Sequence, residues 1–208
     1  LLAAIEDEFA TLGRTPKGQR ALRSIFRAML AATARHGAAA IALEAVAGAA
    51  GLTQAAIRHY FPTRDHLLLA FFRAGAEWYR RELEQQLAAT DVDPLALLER
   101  CLVWHLDFME AVDAALWFES SGYWLRDPAG RRARNAWYQF LVARYAQLIG
   151  RARPGLSATG RRDRAIALWT LMIGGWVSHS RGSALQPGPG PTERRRAIIA
   201  AGRAIIGS

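Results

Sequence analysis

The stretch Leu43–Phe61, LEAVAGAAGLTQAAIRHYF, constrains this chain most. Val46, Ala47 and Ala50 are apolar at i, i+1 and i+4, which gives one short helix a single buried face. Gly51 breaks that pattern at a point where the backbone must turn left-handed, a conformation that favours glycine. Leu52 follows as an apolar plug, and the Thr53 hydroxyl is placed to cap a second helix. On that helix Ile57 and Tyr60 continue inward, leaving Gln54, Ala55, Arg58 and His59 to point outward. Two helices crossing steeply need a residue without bulk at the crossing, and Ala47 supplies it. The pattern predicts a helix-turn-helix whose second helix enters a DNA major groove. The plainer reading is an Ala-rich helical hairpin inside a structural bundle.

The flanking sequence reads as helix throughout. Leu22, Ile25, Phe26, Met29, Leu30 and Thr33 fall at helical spacing between Gln19 and Arg35, and Gly37 ends that helix. Before it, Arg14–Arg20 reads as a short basic arm containing Lys17, placed to lie along phosphates or to remain a solvated tail. Pro62-Thr63 makes a sharp stop, with Thr63 as N-cap and Asp65 in the first turn of a long helix from about Arg64 to Ala88. Further helices are expected over Pro94–Ala111, Asp113–Leu125, Asp127–Arg151 and Arg161–Ser180. Gln186–Pro191 (QPGPGP) acts as a linker, and Thr192 caps a final helix, Glu193–Ile206. No β-branched run of period two lies between turn signals. The predicted class is all-α: a three-helix helix-turn-helix domain over residues 14–66, joined by a long helix to a helical bundle over 67–208.

Charge decides less than it first suggests. The net charge of +9 favours a polyanionic partner, but the sole lysine among many arginines points equally to a coding bias. The single cysteine, Cys101, excludes an internal disulfide and suits a reducing cytoplasm. Glu6, Asp7 and Glu8 stand where a secretory leader would be basic, and no apolar run reaches membrane-spanning length. The expected location is therefore cytoplasmic, with no membrane partner. Chemistry-bearing motifs are sparse. Cys101 and His105 share a helix face, yet no CxxC, HxxxH or acidic triad completes a metal or nucleophile site. With no Gly-rich phosphate loop and no nucleophile elbow, neither an enzyme nor a cofactor is expected.

The segment from about Thr15 to Phe72, including the Tyr60-Phe61-Pro62-Thr63-Arg64-Asp65-His66-Leu67 junction, resembles the N-terminal domain of the tetracycline-repressor (TetR) family of bacterial regulators. The resemblance implies that Thr53, Gln54 and Ala55 face base edges or phosphates, and that Tyr60 and Arg64 hold the DNA backbone. In that family the Arg64 position is more often Lys. Tyr is usual where this chain has Arg58, and Thr or Ser is frequent at the Ala42 position. Arg58 can substitute with a bidentate bond to guanine or a charge-assisted bond to phosphate. His59 beside it reads as a backbone-contact or surface residue.

Beyond the head, seven Trp residues accompany other aromatics. Trp104, His105, Phe108, Trp117, Phe118, Trp137, Tyr138, Trp169 and Met172 could line an apolar cavity. With Asp107, Glu110, Asp113 and Glu119 interleaved, such a cavity would suit a lipophilic cation. A plain Trp-rich core is the competing reading. The last two helices, apolar and carrying Gly174-Gly175, would form a homodimer interface, as the resemblance also implies. The function so implied is a ligand-responsive transcriptional repressor, released from a pseudo-palindromic double-stranded operator by a small lipophilic or aromatic effector. A constitutive or architectural DNA-binding protein without an effector is the alternative.

Overall fold

The computed structural model describes residues 2–36, 41–88, 91–111, 122, 125, 127–179 and 190–207. Every regular element among them is a helix: α1 (Leu2–Ala10), α2 (Pro16–His36), α3 (Leu43–Ala49), α4 (Gln54–Tyr60), α5 (Arg64–Leu87), α6 (Pro94–Ala111), α7 (Pro128–Ala152), α8 (Ala158–His179) and α9 (Pro191–Gly207). No described helix is long and apolar enough to cross a membrane. The expected helix over Asp113–Leu125, the Gly37 stop and most of the 186–191 linker lie outside the described residues.

Two compact units emerge, Leu1–Arg81 with Ala115–Arg134, and Glu82–Ala114 with Asn135–Ser208. In the first, α1 packs on α2, α2 on α3, and α3 on α4. Aromatic rings fill its centre: Phe9 lies 5.5 Å from Phe26 and 5.6 Å from Phe61, and Phe26 lies 5.5 Å from Phe71. Ile5, Leu22, Ile25, Met29, Val46, Ile57, Leu67 and Leu68 complete a core closed to solvent. In the second unit α6, α8 and α9 pack on one another around Leu98, Leu102, Leu106, Leu168 and Met172.

Several boundaries depart from the sequence reading. The N-terminal residues form a helix because Ile5 and Phe9, at i and i+4, both reach the core. The proposed basic arm is largely helical: Pro16 opens α2, where its missing N–H costs nothing, and the Thr15 hydroxyl accepts from Gly18 N at 3.1 Å. Ser157 Oγ, accepting from Gly160 N at 3.1 Å, starts α8 at Ala158, ahead of the expected Arg161. The final helix opens at Pro191, not after a Thr192 cap; Glu193 reaches back to accept from Gly190 N at 3.0 Å.

Much of the basic charge is spent inside the chain. Arg153 donates to the Gly207 and Ile206 carbonyls at 3.0 and 3.4 Å, closing the end of α9. Arg161 ties down the loop before α8 through the Leu156 and Pro154 carbonyls at 2.9 and 2.8 Å. Arg203 makes a bidentate pair with Glu99 at 2.7 and 2.8 Å. The guanidinium of Arg203 holds the Glu99 carboxyl below its ordinary pKa. High pI in this protein is therefore an unreliable measure of DNA affinity.

Candidate nucleic-acid interface

The turn between α3 and α4 follows from local chemistry. Gly51 has φ +68°, the left-handed region expected there, and Leu52 N donates to the Ala47 carbonyl at 2.9 Å. Thr53 then caps α4, its hydroxyl accepting from Ala56 N at 3.1 Å. Val46, Ala47 and Ile57 are buried against the head, whereas Gln54, Ala55, Arg58 and His59 are exposed. Tyr60 is half-buried, its ring 5.3 Å from that of His59 in an edge-on arrangement. Ala42 is the N-cap of α3 and offers no side-chain cap, as expected of a residue lacking a hydroxyl.

The surroundings of α4 place donors along the same unit. A Cβ at Gly18 would sit 3.2 Å from the Tyr60 hydroxyl, so the first turn of α2 and the end of α4 approach closely. Lys17, on that first turn, is exposed, as are Arg14 and Arg20. Thr63 caps α5, its hydroxyl 3.3 Å from His66 N. Arg64 is half-buried and donates from Nε to the Ile41 carbonyl at 2.9 Å. It therefore braces the segment leading into α3, a role not visible in the sequence. The remaining side chains present a guanidinium, an amide, an imidazole, a phenol and an ammonium, the donor types used for phosphate and base-edge contacts.

Residues 25–71 match the bacterial regulatory proteins of the tetR family. That match lies with the head, residues 25–71, and not with the rest of the chain. The matched span runs from the middle of α2 through α3 and α4 into α5, and so contains the whole helix-turn-helix. TetR-family regulators are DNA-binding transcription factors, not enzymes. No curated protein matches the chain by sequence. Solved structures share its fold along most of its length. A transcriptional regulator from Pseudomonas aeruginosa has 18% identity and a TM-score of 0.73, with 93% of each chain covered. A TetR transcription regulator from Haloarcula marismortui has 17% identity and a TM-score of 0.69, over 90% of this chain and 96% of that one. The TetR-like regulator LfrR from Mycobacterium smegmatis, solved with proflavine, has 23% identity and a TM-score of 0.59, over 88% and 94%.

In the second unit, part of the expected aromatic set is brought together. His105 lies 6.4 Å from Phe108 and 6.2 Å from Trp169, while Trp104 lies 6.4 Å from Phe108 and Tyr138 5.2 Å from Trp169. Met172 is fully buried, and Trp137 is buried with its ring 5.7 Å from Phe140. Trp117 and Phe118 lie outside the described residues, as do Asp113 and Glu119. Asp107 is not a counter-charge to a cavity: it is exposed and pairs with Arg195 at 2.6 Å. Burial lowers the His105 pKa to about 3 and raises that of Cys101 to about 11, so both are neutral near pH 7. Among the described residues no group of His, Cys, Asp and Glu is arranged to hold a metal.

A cleft of about 310 Å³ lies elsewhere in the same unit, lined by Glu84, Leu87, Ala88, Arg144, Gln147, Leu148 and Arg151. Arg144 pairs with Glu84 at 3.3 Å across it. The sequence reading missed this cleft. Arg144 and Arg151 are at i and i+7 on α7, but that spacing alone does not distinguish a cleft wall from a solvated face.

Proposed function

We propose that residues 14–66 form a DNA-reading head whose α4 enters the major groove, and that residues 67–208 carry dimerisation and effector response. The outward set Gln54, Ala55, Arg58 and His59, held on a helix that Thr53 caps, supports this reading most directly. Thr53, Gln54, Ala55 and Arg58 address base edges or phosphates; Lys17, His59, Tyr60 and Arg64 address the backbone. A duplex carrying the chain's own upstream region should bind with a steep inverse dependence on salt. Equal affinity across salt concentrations would contradict the head's role.

The homodimer is proposed through α8 and α9. In the single chain Ile166 is 43% exposed, and Ala167, Thr170 and Gly174 are exposed on the same helix. Ala197, Ala200 and Ala204 are likewise exposed on α9. Small residues along both helices permit close backbone approach, and a second copy would cover the apolar face. A two-fold dimer would present two α4 helices to half-sites about 34–36 Å apart. Light scattering at micromolar concentration should return twice the chain mass; a monomer would remove the symmetric operator.

The effector is proposed to be a small lipophilic or aromatic compound received near Trp104, His105, Phe108, Tyr138 and Trp169. LfrR, of similar fold, was solved with the aromatic compound proflavine. An effector that weakens DNA binding must itself bind the DNA-bound form less tightly. Thermal-shift screening of lipophilic and aromatic compounds tests this, and stabilisation by none would favour a constitutive regulator. The burial of Phe108 and Trp169, both nearly closed to solvent on either side of His105, is the observation on that side.

A further inference from the structure

Gly18, in the first turn of α2, is buried although its neighbours Lys17 and Gln19 are exposed. A Cβ built on it would sit 3.2 Å from the Tyr60 hydroxyl at the end of α4, 3.3 Å from Thr15 Oγ1 and 3.6 Å from Gly13 Cα. The first two separations are tighter than Cβ contacts ordinarily are. A side chain at position 18 therefore forces a neighbour to move.

The three neighbours differ in how far they can give. Gly13 cannot retreat: a Cβ on it would lie 2.7 Å from Gln19 N and 2.8 Å from Gly18 C, so its backbone rests directly on the Gly18–Gln19 peptide. Gln19 Nε2 holds that contact by donating to the Gly13 carbonyl at 3.3 Å. The turn after α1 thus backs the first turn of α2. Thr15 Oγ1 is committed to its cap, accepting from Gly18 N at 3.1 Å, and moving it would leave an N–H of the first turn unsatisfied. The Tyr60 hydroxyl is the far end of a half-buried side chain that can swing, and it is the group that yields.

We propose that Gly18 is a positioning residue for DNA binding: the space left by its missing side chain lets the Tyr60 hydroxyl lie against α2, where it donates to a backbone phosphate. The proposal rests on the reading that Tyr60 holds the DNA backbone. A methyl group at position 18 displaces the hydroxyl by a few tenths of an ångström. Hydrogen bonds weaken steeply as their geometry departs from the optimum, so affinity falls while Gln54 and Arg58 are untouched. The hydroxyl is neutral and releases no counterion, so its loss leaves the salt dependence of binding as it was. Alanine is the better helix former, so a head in which Tyr60 yields is no less stable.

The test is binding of the full chain to a mixed-sequence duplex, by fluorescence anisotropy from about 50 to 300 mM salt, with urea unfolding of each variant. Tyr60→Phe should weaken binding about tenfold, the loss of a hydrogen bond to a charged oxygen, and Gly18→Ala about fivefold. Adding Gly18→Ala to Tyr60→Phe should change affinity by less than about twofold, because no hydroxyl remains to be displaced. The slope of log K against log salt and the urea midpoint of Gly18→Ala should match the wild type or, for the midpoint, exceed it. Equal weakening by Gly18→Ala in the Tyr60 and Tyr60→Phe backgrounds overturns the proposal, as does a lower midpoint, because the backbone has then given way. A shallower slope overturns it too, since Lys17 has then moved. If Tyr60→Phe weakens binding and Gly18→Ala does not, the positioning role is overturned and the Tyr60 contact stands. If Tyr60→Phe binds as the wild type does, the Tyr60 contact itself fails and the role of Gly18 falls with it.

Discussion

Arg64, the first residue of α5, donates through Nε to the carbonyl of Ile41 at 2.9 Å, and Ile41 immediately precedes the N-cap of α3. A cation at a helix N-terminus is opposed by the helix dipole. Here the side chain reaches away from its own helix and satisfies a carbonyl whose residue is buried. Asp65, in the same first turn, lies 3.9 Å from the Arg64 Nη1 and eases the conflict.

Arg64→Ala should therefore destabilise the head by about 1 kcal/mol, the worth of one charge-assisted bond at a half-buried site. Urea unfolding followed by circular dichroism reads this. Unchanged stability combined with weakened duplex binding would show that Arg64 acts on DNA alone.

Gly51→Ala places a Cβ at φ +68°, where an L-residue pays about 1–2 kcal/mol. Among the described residues no atom beyond the chain neighbours lies within 4 Å of the added carbon, so the cost is conformational rather than steric. Urea unfolding should show that loss; a change within a few tenths of a kcal/mol would mean the turn re-forms in another conformation.

The helix-turn-helix was legible because independent signals agreed on it: small Ala47, a left-handed Gly51, a Thr53 cap and an inward Ile57. The long helix from Arg64 and the helix from Pro94 were equally legible, since Thr63 and Pro94 mark their starts. Helix α1 was not, because Ile5 and Phe9 gain meaning only once Phe26 and Phe61 are known to wait for them. The pairing of Asp107 with Arg195 was hidden for the same reason: the partners are far apart in sequence. Arg64 shows a further limit, as one cation can serve a carbonyl or a phosphate and sequence does not choose. The aromatic set is intermediate. Sequence identified residues that do meet, such as His105 and Trp169, but packing and ligand binding select the same residue types.

His105 sets an expected pH response. Its folded-state pKa lies near 3, below the ordinary 6.5, because burial excludes the charged form. The unfolded chain thus binds a proton below pH 6.5 that the folded chain refuses. Stability from this residue is intact above that pH and falls as pH drops towards 3, by up to about 1.4 kcal/mol per unit. Thermal unfolding between pH 7 and about 4.5 should show a shallower decline in His105→Phe than in wild type. Parallel declines would mean that His105 is protonated in the folded chain.

The most direct test of α4 as the reading element is the affinity of Arg58→Ala for a duplex selected by the wild-type protein, with its footprint. If Arg58 reads a base, binding to that duplex weakens by about 1–3 kcal/mol and sequence preference relaxes at the contacted position. An unchanged affinity and an unchanged footprint would contradict that account.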